Sequence, residues 1–172
     1  MVGNILHTEM HLCIWDNYSN KIIDLQKKIN DGLKAIGPFP LMALIDDPEL
    51  HKKTSEIYAK DKYPKSNILP NIKNHPKHQK IRIGYFSGDF REHPVSTLTA
   101  ELYEVHDRNL FEIYAFSYGP NTLDKMNLRI KAGVDHFHDV HKMSHREITE
   151  LSRMLEIDIA VDLGGYTANS RN

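Results

Sequence analysis

The residues best equipped for chemistry lie between Lys80 and Pro94, in the run Lys-Ile-Arg-Ile-Gly-Tyr-Phe-Ser-Gly-Asp-Phe-Arg-Glu-His-Pro. His93 comes first among them. It immediately precedes a proline that opens a segment of helical spacing, and an imidazole at a helix N-terminus feels the positive end of the dipole. That field favours the neutral ring, the form a general base needs, and a positioned base contributes about 10²–10⁴ in rate. The same position equally suits a plain helix cap. Asp89, four residues earlier, can hold a hydroxyl, orient a neighbour or simply form the turn. A second candidate cluster lies in Ile157-Asp-Ile-Ala-Val-Asp-Leu-Gly-Gly-Tyr-Thr167. Asp162 falls on a strand expected to be buried, where a carboxylate must have partners, either backbone amides that would brace the following turn or a ligand. Gly165 permits close backbone approach, and Tyr166 and Thr167 offer a stacking face and hydroxyl donors.

Alternating strands and helices position both clusters. Ile81, Ile83, Tyr85 and Phe86 mark a strand, Ser87 to His93 a loop, and Val95, Leu98, Leu102 and Val105 the inward face of a helix ending near His106-Asp107. Phe111 to Ser117 reads as a second strand closed by Tyr118-Gly-Pro120. Leu123, Met126 and Ile130 suggest a short helix with Gly133 after it, and Val134 to Val140 a third strand. Ser144-His-Arg-Glu147 is a capping box for a helix with Ile148, Leu151 and Leu155 inward. Ile157 to Leu163 is the fourth strand. The order β-α-β-α-β-α-β favours a parallel sheet with right-handed crossovers and helices on both faces. His93 and the Gly164 to Thr167 turn then share the carboxyl edge of the sheet, where ligands bind in open α/β folds.

The first third predicts helices. Ile5, Leu6, Met10, Cys13 and Ile14 share a face up to about Trp15, and Ile22, Leu25, Ile29, Leu33 and Ile36 share another up to Gly37-Pro38. Leu41 to Ile45 is a short apolar piece. Asp46-Asp47-Pro48 supplies a cap and a first-turn proline for a helix to about Lys60, with Leu50, Ile57 and Tyr58 inward. Cys13 is expected as a small buried apolar residue and Trp15 as a core or hairpin anchor. From Asp61 to Gln79, prolines at 64, 70 and 76 among Lys, Asn and Ser mark a solvated linker. Its Lys62, Lys65, Lys73 and Lys77 could instead attract an anionic partner.

Composition narrows the options. The chain has 172 residues, 40% hydrophobic and 26% charged, with a formal net charge of −1. This balance suits a globular protein and gives no reason to expect nucleic acid or a membrane as partner. A lone cysteine excludes an intrachain disulfide and a cysteine-based zinc site, and points to a reducing, cytoplasmic setting. No GxGxxG follows the first strand and no P-loop occurs anywhere. His136, His138, His141 and His145 invite a metal reading, yet their spacing matches no established zinc pattern, so no metal site is assigned.

Four stretches in order, Ile81-Arg-Ile-Gly-Tyr-Phe-Ser-Gly-Asp-Phe, Glu92-His-Pro-Val-Ser, Phe111-Glu-Ile-Tyr-Ala-Phe-Ser-Tyr-Gly-Pro and Asp158-Ile-Ala-Val-Asp-Leu-Gly-Gly-Tyr-Thr, closely resemble the catalytic region of SPINDLY-like bacterial protein O-GlcNAc transferases. The resemblance implies a GT-B glycosyltransferase with two Rossmann-like halves and a cleft between them. Residues 80–172 would form part of the first half, 62–79 a linker, and 1–61 the helical junction to upstream tetratricopeptide helices. It also implies that His93 lies in the cleft as base or positioning residue, and that Gly165, Tyr166 and Thr167 line it. Transfer would run from a nucleotide sugar, UDP-GlcNAc by implication or a fucose donor in SPINDLY proteins, to Ser or Thr hydroxyls of a protein acceptor with no required metal or other cofactor. Most nucleotide contacts would come from a C-terminal half expected in cis, so this chain alone is expected to be inactive. A non-enzymatic α/β binding module and a GT-B enzyme with a non-protein acceptor are the rival readings.

Overall fold

The structure is a computed structural model that describes residues 1–65, 68–72, 74–167 and 171. Lys73 of the linker and Asn172 lie outside the described residues. The chain divides into two units, Met1–Pro70 and Asn71–Asn172.

The first unit contains α1 (Val2–His11), α2 (Tyr18–Asn30), α3 (Pro38–Met42) and α4 (Pro48–Lys62). Its core is Leu6, Leu25, Ile29, Ile36, Leu41 and Leu50 with their neighbours. Both early helices stop sooner than apolar spacing predicts, and the reason is local. At the end of α1, Cys13 takes a left-handed backbone (φ 56°). Its N–H bonds the Met10 carbonyl and that of Ile14 bonds Glu9, a Schellman closure. Cys13 is therefore exposed rather than buried, and Trp15 is also exposed, packed on Tyr18. Helix α2 closes the same way at Gly32 (φ 77°), with Leu33 N–H reaching the Lys28 carbonyl. Gly37 is thus no helix stop. It is the cap of α3, followed by Pro38 at the first position. The Asp47 cap of α4 is as expected, its carboxylate accepting from the amides of Glu49 and Leu50.

The second unit is built on β1 (Ile81–Ser87), α5 (Pro94–Val105), β2 (Phe111–Ser117), α6 (Lys125–Gly133), β3 (His136–Asp139), α7 (His145–Met154) and β4 (Ile159–Asp162). The four strands are parallel in the order β3-β2-β1-β4. One face of the sheet packs Ile83, Tyr85, Ile113 and Ala115 against Ala100 and Tyr103 of α5 and Ile130 of α6. The other packs Tyr114 and Phe116 against Ile148 of α7 and Val140. The mixed α/β architecture with a parallel sheet flanked by helices is as expected. The capping box is present, Ser144 and Glu147 each bonding the other's backbone N–H.

Two expectations fail here. Helix α5 buries Ser96, Ala100 and Tyr103, while Leu98, Leu102 and Val105 of the stripe expected inward are exposed, Leu98 at 83%, and Val95 is half-buried. Apart from the exposed Thr97, Glu101 and Glu104 the helix is largely apolar, and the small Ser96 and Ala100 let it approach the sheet more closely than leucines would. Strand β4 is the outer strand beside β1 in the described sheet, and its residues are largely exposed instead of buried on both faces. Among the described residues, no helix is long and apolar enough to cross a membrane.

Candidate functional site

Strand order fixes where a ligand can sit. Helices α5 and α6 lie on one face and α7 on the other, and the chain reverses its winding between β1 and β4. That is the topological switch point, and crevices for ligands open at the carboxyl ends of the two strands there. The loop after β1 carries Asp89 and His93, and the turn after β4 carries Gly164 to Thr167. The two leave the sheet side by side, since Phe86 pairs with Asp162 and the Leu163 N–H donates to the Phe86 carbonyl at 3.0 Å.

His93 is the N-cap of α5. Its Nδ1 accepts from the Val95 amide at 3.3 Å. A ring nitrogen that accepts carries no proton, so in this geometry the neutral ring bears its hydrogen on Nε2. His93 is thus a helix cap, and Nε2 is the ring nitrogen left outside the cap bond. Asp89 Oδ1 accepts from Arg91 at 3.0 Å, and its Oδ2 lies 3.7 Å from His93 Nδ1. It pairs with Arg91 and also forms the turn, its carbonyl accepting from the Arg91 amide at 2.8 Å.

The loop itself is clamped. Ser87 Oγ accepts from the Asp89 amide at 3.0 Å, and Ser96 Oγ donates to the Asp89 carbonyl. Buried Asn127 donates from Nδ2 to the Phe90 carbonyl at 2.6 Å. Asp124, which also caps α6, accepts from the Glu92 amide at 3.0 Å. Its carboxyl is held below the usual range chiefly by the Thr122 hydroxyl and then by the backbone amides it binds. Phe90 is buried against Tyr103 and Phe137. Five anchors on four elements, β1, α5, α6 and β3, hold a loop of six residues, which is the preorganisation a binding site needs.

Asp162 is the brace that one of its two readings anticipated: Oδ1 accepts from the Gly164 amide at 2.8 Å and Oδ2 from Gly165 at 3.0 Å. Gly165 stands at φ 51°, a left-handed backbone that favours glycine, with open space where a Cβ would be. The Thr167 hydroxyl donates to the Gly164 carbonyl at 2.6 Å, so it closes the turn. Tyr166 is exposed.

Sequence reasoning missed the residue that ties the end of β2 to the start of the His93 loop. Tyr118 follows β2, and its N–H donates to the Ser87 carbonyl at 3.0 Å. Its phenol is pushed up, first by burial and then by the negative charges of Asp162 and Asp89. A Cβ on Gly88 would meet the Tyr118 ring at 2.8 Å, and one on Gly119 would meet the Gly88 carbonyl oxygen at 1.8 Å. The glycines interlock. The only trace in the sequence is the Tyr118-Gly-Pro120 run, which reads as a strand end.

His136 and His138 do share a face, as alternation predicts, but they serve packing. His136 Nε2 pairs with Glu112 at 2.9 Å, and both rings stack on the aromatic residues of β2.

The fold is that of a Rossmann-like α/β unit with a parallel sheet flanked by helices. Its family follows from comparison with known proteins: residues 51–172 match the model for glycosyl transferase family 41, and the chain belongs to that family. It is 29% identical over 98% of its length to the Arabidopsis thaliana protein named Probable UDP-N-acetylglucosamine–peptide N-acetylglucosaminyltransferase SEC, spanning 19% of that protein. It is 30% identical over 55% of its length to the Caenorhabditis elegans UDP-N-acetylglucosamine–peptide N-acetylglucosaminyltransferase, spanning 8% of it. Among solved structures it resembles a mutant of the Thermobaculum terrenum O-GlcNAc transferase, with a TM-score of 0.55 and 32% identity, over 70% of this chain and 23% of that one. The chain thus spans less than a quarter of the length of each of these relatives.

Proposed function

We propose that this chain contributes the first Rossmann-like half of a cytoplasmic protein O-glycosyltransferase, which moves N-acetylglucosamine from UDP-GlcNAc to Ser or Thr hydroxyls. The observation that carries the reading is the convergence of the clamped His93 loop and the Asp162-braced turn at the switch point of a family 41 fold. A second half, in cis, supplies most nucleotide contacts, and tetratricopeptide helices before α1 present the acceptor. In the reaction, the acceptor oxygen bonds to the anomeric carbon as the bond from that carbon to the diphosphate breaks; the electron pair leaves on the diphosphate, and the acceptor's proton passes to an oxygen of that diphosphate. His93 acts through its Nε2–H, donating to an oxygen of the sugar donor or acceptor and so positioning it. To remove the acceptor proton instead, Nδ1 would first have to release the Val95 amide and turn its own N–H toward Asp89. The carboxylates of Asp89 and Asp162 are already engaged by Arg91 and by backbone amides. Neutralisation of the leaving diphosphate is therefore assigned to the second half and not to a metal held here.

Two substitutions in the complete enzyme separate the cap from the chemistry. Asn caps helices as well as any residue, so His93→Asn keeps α5 intact while removing the ring. His93→Ala removes both functions. Under this proposal the two variants lose turnover alike, by about 10²-fold as expected for a misplaced reactant, and only His93→Ala loses stability. Turnover near the parent level in His93→Asn would overturn the role.

A further inference from the structure

At the opposite, N-terminal edge of the sheet, the segment leading into β1 meets the turn leading into β4. His75 and His78 stack with ring centroids 4.8 Å apart. His78 Nε2 lies 3.2 Å from Glu156 Oε2, and His75 Nε2 lies 3.7 Å from Asp158 Oδ1. Although His78 Nε2 is shut off from solvent, it makes no hydrogen bond among the described residues. His75, His78 and Glu156 each offer one ligand atom, all within 4.8 Å of one another. Helix α7 ends in a Schellman turn whose left-handed position, usually glycine, is Glu156 at φ 49°. The side chain that glycine would lack is the one facing His78.

We propose that His75, His78 and Glu156 bind a divalent cation of the zinc class, with Asp158 or water as fourth ligand. Two imidazoles and a carboxylate are the nitrogen and oxygen donors such a cation takes. Bonds of about 2.0–2.1 Å in tetrahedral geometry put neighbouring ligand atoms roughly 3.4 Å apart, close to the 3.2 Å and 3.7 Å found for the two pairs. The three ligand atoms, within 4.8 Å of one another, close to that spacing by rotation of their side chains. The opposing charge is Arg82, whose Nη1 is 3.5 Å from Glu156 Oε2; its Nε is held by Glu112 at 3.1 Å and its Nη1 also by the Leu155 carbonyl at 3.1 Å. Glu156 and Asp158 together outweigh that one positive charge. Because the site joins the entry segment to the start of β4, away from the His93 loop, the cation would act as a structural clip and not as part of group transfer.

The test is cobalt(II) titration of the full chain followed by visible absorption, with zinc competition and thermal unfolding. One equivalent of cobalt should give the intense bands of a low-coordinate ion, zinc should abolish them, and zinc at a hundredfold excess over its dissociation constant should raise Tm by about 5–10 °C. His78→Gln and Glu156→Gly should remove both responses, and the latter relieves the left-handed backbone, so it keeps the fold. His136→Gln with His141→Gln should change neither. A pale six-coordinate cobalt spectrum, or binding that survives in His78→Gln and Glu156→Gly, would overturn the proposal.

Discussion

Replacing Gly119 by alanine tests the idea that the loop after β2 sets the position of the His93 loop. The added Cβ would stand 1.8 Å from the Gly88 carbonyl oxygen, 2.6 Å from the carbonyl carbon and 3.0 Å from Cα. All three are backbone atoms, so no side-chain rotation relieves the clash. The two loops must separate by more than about 1 Å, since overpacked contacts resolve only by backbone shifts. Gly88 has little freedom to give, because the Ser87 carbonyl accepts from Tyr118 and Ser87 Oγ accepts from Asp89. Overpacking costs about 1–3 kcal/mol, and losing the Tyr118 to Ser87 bond adds about 1 kcal/mol. A total near 3 kcal/mol corresponds to a fall in Tm of roughly 10 °C in a domain of this size.

Catalysis should suffer separately from stability. A displacement of 1 Å in a positioning group costs about 10²-fold in rate, so the complete enzyme carrying Gly119→Ala should be slowed even below its melting temperature. Urea unfolding and a sugar-transfer assay read the two effects. Gly165→Ala is the comparison: open space surrounds the new methyl, and only the left-handed φ of 51° opposes it, costing about 1–2 kcal/mol. If Gly119→Ala matches the parent in both midpoint and turnover, the interlocked loops do not position His93.

The face of α5 gives a second prediction: Leu98→Gln should change stability by less than about 0.5 kcal/mol, because Leu98 is exposed. Ala100→Leu, against the sheet, should cost about 1–3 kcal/mol in a urea titration. A third concerns acid. Burial holds the His138 pKa below its ordinary value, with His136 adding to the effect, so the unfolded chain takes up a proton from about pH 6.5 downward that the folded chain refuses. Stability should therefore fall as pH drops below that point toward the lowered folded pKa, and His138→Phe should flatten the slope. Burial lowers His106 in the same direction, which accounts for the slope that remains, and an unchanged slope in His138→Phe would refute the assignment.

What was legible in the sequence was what local chemistry dictates. The Ser144 to Glu147 capping box, the Asp47 cap before Pro48 and the β-rich runs of β1 and β2 each depend on neighbours a few residues away, and each formed as read. The errors arose where local signals compete. Apolar spacing ran on to Ile14 and Ile36, yet the Schellman closures at Cys13 and Gly32 satisfied the final carbonyls first. Leucines at positions 98 and 102 carry more hydrophobicity than Ser96 and Ala100, yet closeness to the sheet selected the small residues.

The candidate site divides along the same line. His93 announced itself through the proline after it, and Asp89 and Asp162 through their places at strand ends. Their supports did not, because Asn127, Asp124 and Tyr118 bond the His93 loop and its strand from 31 to 37 residues away. Contacts of that kind depend on strand order, and strand order follows only once β1 lies between β2 and β4. The same holds for His78 and Glu156, which meet because β1 and β4 are neighbours and parallel. The sheet thus gathers one cluster at each of its two edges from residues that sequence spacing alone cannot bring together. That separation allows Glu156→Gly and Gly119→Ala to be read independently: the first should leave the His93 loop in place, and the second should leave the response to zinc intact.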